Sequence, residues 1–212
     1  MSKLDFIYKR HSIRRFKDSE IPMEDLKEII KAATFAPSGR NLQNWHFVIV
    51  KDKDKIDNIA SCVEKKNQYI VERLKDDEKK LNVSRSVKYH TVFKGAPCLI
   101  LIYTGEYIPT GLIEMKEIGA AEGEIKLLEQ SAPGIQGTSA ALENLMLAAA
   151  DMGYGTCWMT GPNYAAKEIN ELIGFNKAGY SLMAITPIGV PEEYNITSPP
   201  RKPIEEIMTI IE

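Results

Sequence analysis

The sequence predicts a mixed α and β domain formed by the whole chain, residues 1–212. Three observations lead there. Apolar residues recur at helical spacing in several segments, most plainly Leu26, Ile29, Ile30 and Ala33. Short unbroken apolar runs of strand length, such as Phe47-Val48-Ile49-Val50, alternate with them. No internal repeat, low-complexity tract or Gly-, Ser- or Pro-rich linker divides the chain.

The elements follow in order. Residues 3–9 read as a short helix with Leu4, Ile7 and Tyr8 on one side. Ser19 to Pro22 is a helix-start signal, because proline in the first turn lacks only an N–H that would be orphaned anyway. Glu24 and Asp25 favour the positive end of that helix, and Pro37 stops it. The charged stretch 53–90 holds Ile56, Ile59, Ala60 and Val63 at helical spacing and reads as one or two helices. Leu99 to Tyr103 reads as a strand covered on both faces.

Gly-rich turns surround a helical piece at 113–128, so 104–137 is the natural place for a lid. Residues 138–152 make the clearest helix, capped by Thr138 or Ser139 and ended by Gly153. With almost no polar face it must be buried nearly all round, which fits a dimer interface or a central core helix. Strands are expected at 155–159 and 181–188, a helix at 164–173, and a short helical pattern on Ile204, Ile207 and Met208 after Pro199-Pro200.

Composition narrows the classes. Hydrophobic residues make up 44%, enough for a sizeable core, and the net charge of −2 argues against general nucleic-acid binding. Cys62, Cys98 and Cys157 have neither metal nor dithiol spacing, and an odd count suggests a reducing compartment. His11, His46 and His90 are scattered, which speaks against zinc. No apolar run approaches the ~20 residues needed to cross a bilayer. With no signal-peptide core at its start, the expected setting is the cytoplasm, without a membrane partner. A Walker loop and a Gly-x-Ser-x-Gly elbow are both absent.

Two polar clusters carry the chemistry. In Arg10-His11-Ser12-Ile13-Arg14-Arg15, alternation by two sets Arg10, Ser12 and Arg14 on one side of an extended segment. Two guanidinium groups and a hydroxyl there suit a phosphate. In Pro37-Ser38-Gly39-Arg40-Asn41-Leu42-Gln43-Asn44-Trp45, the amides and hydroxyl suit the edge of a polar ring. Pro, Ser, Gly and Asn also favour plain turns, but Gln43 is less well explained that way. A ligand with a phosphate at one end and a polar heterocycle at the other, such as FMN, answers both.

These clusters, in this order, resemble the nitroreductase family of FMN-dependent oxidoreductases. The match continues in Gly153-Tyr154-Gly155-Thr156-Cys157-Trp158-Met159-Thr160-Gly161-Pro162, in Ile188-Gly189-Val190-Pro191 and in Arg201-Lys202-Pro203. Residues 61–135 carry little of it. The resemblance implies an α+β fold with a central, mainly antiparallel sheet flanked by helices, built as an intertwined homodimer. It implies FMN held by Arg10, His11, Ser12 and Arg14 at the phosphate, and by Pro37, Ser38, Asn41 and Gln43 from the neighbouring subunit. It places Trp158, Met159, Thr160 and Gly161 under the flavin ring, with Arg201 closing on the phosphate. Asn44 stands where many members have proline.

The implied activity is hydride transfer from NADH or NADPH through flavin N5 to a small-molecule acceptor such as a nitroaromatic or quinone. No side chain is then a certain catalyst, because the flavin carries the chemistry. Same-fold dehalogenation or flavin breakdown, a flavin sensor or store without turnover, and a phosphate-binding module without flavin are the alternatives.

Overall fold

The computed structural model describes residues 3–194 and 199–212. Its centre is one antiparallel sheet of β1 (Trp45–Val50), β2 (Cys98–Gly105), β3 (Gly155–Thr156) and β4 (Tyr180–Gly189), in the order β1-β2-β4-β3. Every residue of β2 is buried, because it lies between β1 and β4 with helices on both faces. Alternation along the strand sends Cys98, Ile100 and Ile102 to one core and Leu99, Leu101 and Tyr103 to the other.

The first core is filled by helices α2 (Met23–Ala33) and α7 (Pro133–Asp151) through Leu26, Ile29, Leu142 and Leu145. The second is filled by α3 (Lys53–Arg73) and α8 (Ala166–Ile173) through Ile56, Ile59, Val63 and Ile169. All eight of those side chains are fully buried. Each contributes about 1.5–3 kcal/mol relative to exposure. The α+β architecture expected of the chain is therefore present, with a mainly antiparallel sheet and flanking helices.

The stretch 53–90 forms two helices, α3 and α4 (Asp77–His90). Asp52 and Asp76 cap them, accepting from the backbone N–H of Lys55 at 3.1 Å and of Lys79 at 2.9 Å. The helical piece at 113–128 also divides, into α5 (Leu112–Glu117) and α6 (Glu122–Gln130), with Gly119 left-handed between them at φ 66°. A short α1 (Asp5–Lys9) opens the described chain.

Helix α7 starts five residues before the expected cap. Gly134 and Gly137, which look like loop glycines, lie inside it, and neighbours crowd Gly134. A Cβ on Gly134 would meet Tyr107 Cβ at 2.8 Å and Asn44 Nδ2 at 2.9 Å. Thr138 is no cap: its hydroxyl donates to Gly134 O at 3.0 Å and lies 3.0 Å from Thr104 Oγ1, fully buried. The expected strand at 155–159 is regular only over β3, because Cys157 N–H turns to the Thr186 hydroxyl at 3.2 Å. Met159 then rejoins β4 through an isolated bridge to Ile185.

Candidate functional site

The first polar cluster runs extended beside β3. Ile13 N–H donates to Thr156 O at 2.8 Å, Ser12 bridges Thr156 in parallel, and Lys17 N–H donates to Val190 O at 2.9 Å. Gly155 permits this docking, since a Cβ there would fall 2.5 Å from the Ile13 Cβ. Buried Ile13 anchors the segment.

The expected alternation follows from that anchor. Ser12 and Arg14 lie close to the Cys157 thiol, and the charges of Arg14 and Arg10 both act on it. Burial pushes this thiol up, with Arg14 the largest opposing influence. Arg10 Nε lies 3.6 Å from Glu143 Oε1 on α7, which steers its guanidinium. Arg14 Nη1 donates to Ser12 O at 3.3 Å. A cavity of about 290 Å³ is lined by Ser12, Ile13, Arg14, Arg15, Glu192 and Glu193. His11 falls on the other side of the segment, in a cavity of about 250 Å³ shared with Tyr154 and Thr156.

The docking brings the first cluster against Thr156 and Cys157, the residues that lead into Trp158, Met159, Thr160 and Gly161. Trp158 packs against the core of α2 and α7, half-buried. Met159 is taken up by the sheet: its N–H donates to Ile185 O at 3.0 Å, its carbonyl accepts from Ile185 N–H at 2.9 Å, and its side chain belongs to the opposite core. Thr160 is exposed and Gly161 partly exposed. The space a Gly161 Cβ would fill is taken by the imidazole of His90, whose Nε2 lies 2.5 Å from that point. Glycine is needed here to seat His90.

The second cluster lies elsewhere. Residues 38–44 wrap the start of β1, with Ser38 against Gly137 of α7 and Gly39 against Tyr107. Three non-glycine residues take left-handed conformations in this loop, Arg40 at φ 55°, Asn41 at 53° and Gln43 at 47°. Such strain costs about 1–2 kcal/mol per residue and clusters at functional sites. Internal bonds hold it: Gln43 N–H donates to Ser38 Oγ at 3.0 Å and Gln43 Nε2 to Asn41 Oδ1 at 3.2 Å. Arg40 Nη2 donates to Thr110 Oγ1 at 2.5 Å, tying the loop to 104–137. Buried Asn44 donates to Gly105 O at 2.8 Å, so the asparagine in place of proline fastens β1 to the end of β2.

Pairing of Trp45 with Thr104, and of Thr104 with Ser181, sets the loop level with the start of β4. Thr156 pairs with Ile188, near the end of β4 and at the far edge of the sheet. Seven residues along β4 span about 20 Å, with three strand spacings of about 4.8 Å across the sheet between β1 and β3. One chain therefore sets the first cluster beside Thr156 and Cys157 and keeps Pro37, Ser38, Asn41 and Gln43 at a distant corner. Arg201 is exposed on the tail, where its Nη1 donates to Pro199 O at 3.1 Å.

His90, Glu143 and Tyr164 join the site region although the sequence reading did not select them. His90 contacts Gly161 across 71 positions of sequence, so spacing gives no local signal of it. Among the described residues no group of His, Cys, Asp or Glu could hold a metal ion, and no helix is long and apolar enough to cross a membrane.

Comparison with known proteins places the fold among flavoproteins of known structure. The chain is 42% identical to a BluB-like flavoprotein from Clostridium difficile 630, which it matches over 100% of both chains with a TM-score of 0.91. It is 25% identical to a solved iodotyrosine deiodinase bound to FMN and 3-iodo-L-tyrosine, covering 98% of this chain and 96% of that one, with a TM-score of 0.68. An iodotyrosine deiodinase from Thermotoga neapolitana is 28% identical over 191 residues, 89% of this chain and 88% of the relative. The family model described as Nitroreductase family matches residues 7–190, and the chain belongs to that family.

Proposed function

We propose that this protein is an FMN-dependent oxidoreductase working as a homodimer. The observation that carries the reading is the docking of Arg10, Ser12 and Arg14 beside Thr156 and Cys157, which lead directly into 158–161. A doubly charged phosphate is matched there by two guanidinium groups and a hydroxyl on one side of an anchored strand. A ring extending from that phosphate along 158–161 meets Trp158, the exposed Thr160 and Gly161. The BluB-like relative is a flavoprotein and the solved deiodinase holds FMN, which supports carrying the cofactor over.

When bound, FMN supplies hydride chemistry at N5 between NADH or NADPH and an electron-poor acceptor such as a nitroaromatic or quinone. The protein supplies position and charge. Arg10, steered by Glu143, and Arg14, lying against Ser12, hold the anionic end. Asn41 and Gln43 offer both donors and acceptors to a ring edge. In this reading they serve the flavin of a second copy, because their own first cluster lies at the opposite corner of the sheet.

Unpartnered apolar surface supports the dimer. Phe6, Ala32, Leu147 and Ala148 line a cavity of about 370 Å³ beside α7. Ile204, Ile207, Met208, Ile210 and Ile211 stand exposed on the tail. A second copy covering these would also complete the site.

A second reading is reductive dehalogenation on the same cofactor, favoured by the deiodinase relatives. The test begins with the visible spectrum of freshly purified protein and identification of the released pigment. Bound FMN, bleached anaerobically by NADH or NADPH and restored by a quinone, is the expected result. Iodide release from 3-iodo-L-tyrosine, without quinone turnover, would favour the second reading. A colourless protein that ignores added FMN would overturn both.

A further inference from the structure

After β4 the chain returns along the first polar cluster. Lys17 N–H donates to Val190 O at 2.9 Å, Phe16 bridges Pro191 antiparallel, and Glu192 N–H donates to Arg15 O at 3.2 Å. Gly189 makes this approach possible, since a Cβ there would meet Phe16 Cδ1 at 2.9 Å and Pro97 Cγ at 2.7 Å. Buried Pro191 anchors the returning segment. The backbone thereby carries Glu192 and Glu193 to the cavity of about 290 Å³ that Ser12, Arg14 and Arg15 also line.

The charges on that wall are not paired with one another. Among the described residues, no ion pair engages Arg14, Arg15, Glu192 or Glu193. In the FMN reading, Arg10 and Arg14 face the phosphate. What remains on the wall is the Arg15 cation against the carboxylates of Glu192 and Glu193, a surplus of negative charge. Such a surplus discriminates against a ligand that brings a further anion.

The two common flavin nucleotides differ at this point. FMN ends in a phosphate monoester, with two negative charges on a single phosphorus. In FAD that phosphate is joined through a second one to adenosine, and each phosphorus carries one charge. The second phosphate, one bridging oxygen beyond the first, enters the same cavity and meets the surplus.

We propose that Glu192 and Glu193 are specificity-determining residues: they restrict the site to a flavin monophosphate by repelling the second phosphate of FAD. This assignment rests on the FMN reading above.

A competition on the FMN-loaded protein tests it. The protein is equilibrated with rising FAD, and the flavin retained after gel filtration is identified chromatographically. Wild type is expected to keep FMN against a large excess of FAD. Glu192→Gln combined with Glu193→Gln preserves side-chain size and removes both charges. Affinity for FAD relative to FMN is expected to rise about tenfold, because exposed charge pairs are each worth roughly two- to fivefold. A second arm needs no substitution. At 1 M salt the Debye length falls to about 3 Å, so the same ratio should rise more in wild type than in the double variant.

An unchanged ratio in the double variant would overturn the proposal and leave the exclusion of FAD to the bulk of its adenosine. Equal gains for FMN and FAD would overturn it too, reducing the carboxylates to a general field. So would ready displacement of FMN by FAD in wild type. In each case FMN still binds and the parent reading stands. A wild-type protein that retains neither flavin overturns the parent reading and this proposal together.

Discussion

Gly155 and Ile13 lie so close that a Cβ on the glycine would stand 2.5 Å from the Ile13 Cβ. This contact fixes the first polar cluster beside β3 and sets the alternation that turns Ser12 and Arg14 toward Cys157. Gly155→Ala is expected to push 10–14 away from the sheet. Overpacking of this kind costs about 1–3 kcal/mol. Thermal unfolding should show that loss and a flavin titration a weaker FMN affinity; wild-type affinity would show that the docking is unnecessary to the site.

Arg14 is exposed and contributes little to the core. Arg14→Ala should leave the unfolding midpoint nearly unchanged, because surface substitutions stay within about 0.5 kcal/mol. FMN retention should fall at least about tenfold with the loss of one charge-assisted phosphate contact of about 1.5–3 kcal/mol. Unaltered FMN affinity in the folded variant would remove Arg14 from the site.

Gln43 holds a left-handed backbone at φ 47°. Glycine takes this conformation without the steric penalty, so Gln43→Gly should relieve about 1 kcal/mol after its entropy cost is set against the relief. The variant should melt no lower than wild type, yet retain less flavin. A clear drop in Tm would mean that the Gln43 side-chain bond to Asn41 outweighs the strain.

Alkaline pH should destabilise the fold through two groups. Burial pushes the Cys98 thiol from 9.0 up to about 12, and burial with the Asp25 hydrogen bond pushes the Tyr154 phenol from 10.0 to about 12. Both pKa values are raised on folding, so the folded state holds these protons more tightly than the unfolded chain. The associated stability is complete below pH 9 and is lost as the pH climbs toward 12. Urea titrations at successive pH values should show the midpoint falling over that window. Cys98→Ala combined with Tyr154→Phe should flatten the slope; an unchanged slope would assign it to other groups.

Thr138 is fully buried between Gly134 O and Thr104 Oγ1. Thr138→Val keeps the shape and removes the hydroxyl, leaving both partners short of a bond. The expected loss is about 1–3 kcal/mol in a chemical denaturation experiment. A neutral result would mean that the Thr104 hydroxyl, 3.3 Å from Gly134 O, satisfies that carbonyl without Thr138.

Sequence alone determined what is local and periodic. The stripe of Leu26, Ile29 and Ala33, the run Leu99 to Tyr103 and the left-handed Gly153 are legible because each reflects a repeat or a backbone preference within a few residues. The phosphate-suited alternation of Arg10, Ser12 and Arg14 is legible for the same reason. The early start of α7 was hidden, because Gly134 is a glycine for its neighbours Tyr107 and Asn44, and those are distant in sequence.

Tertiary structure alone decided which clusters meet. The strand order β1-β2-β4-β3 sets residues 12–13 beside Thr156 and leaves Asn41 and Gln43 at another corner. It absorbed Met159 into the sheet, left Arg201 exposed, and brought His90 onto Gly161. The physical reason is the same throughout: these relations depend on strand pairing and close packing between residues far apart in the chain, which no spacing along one segment encodes.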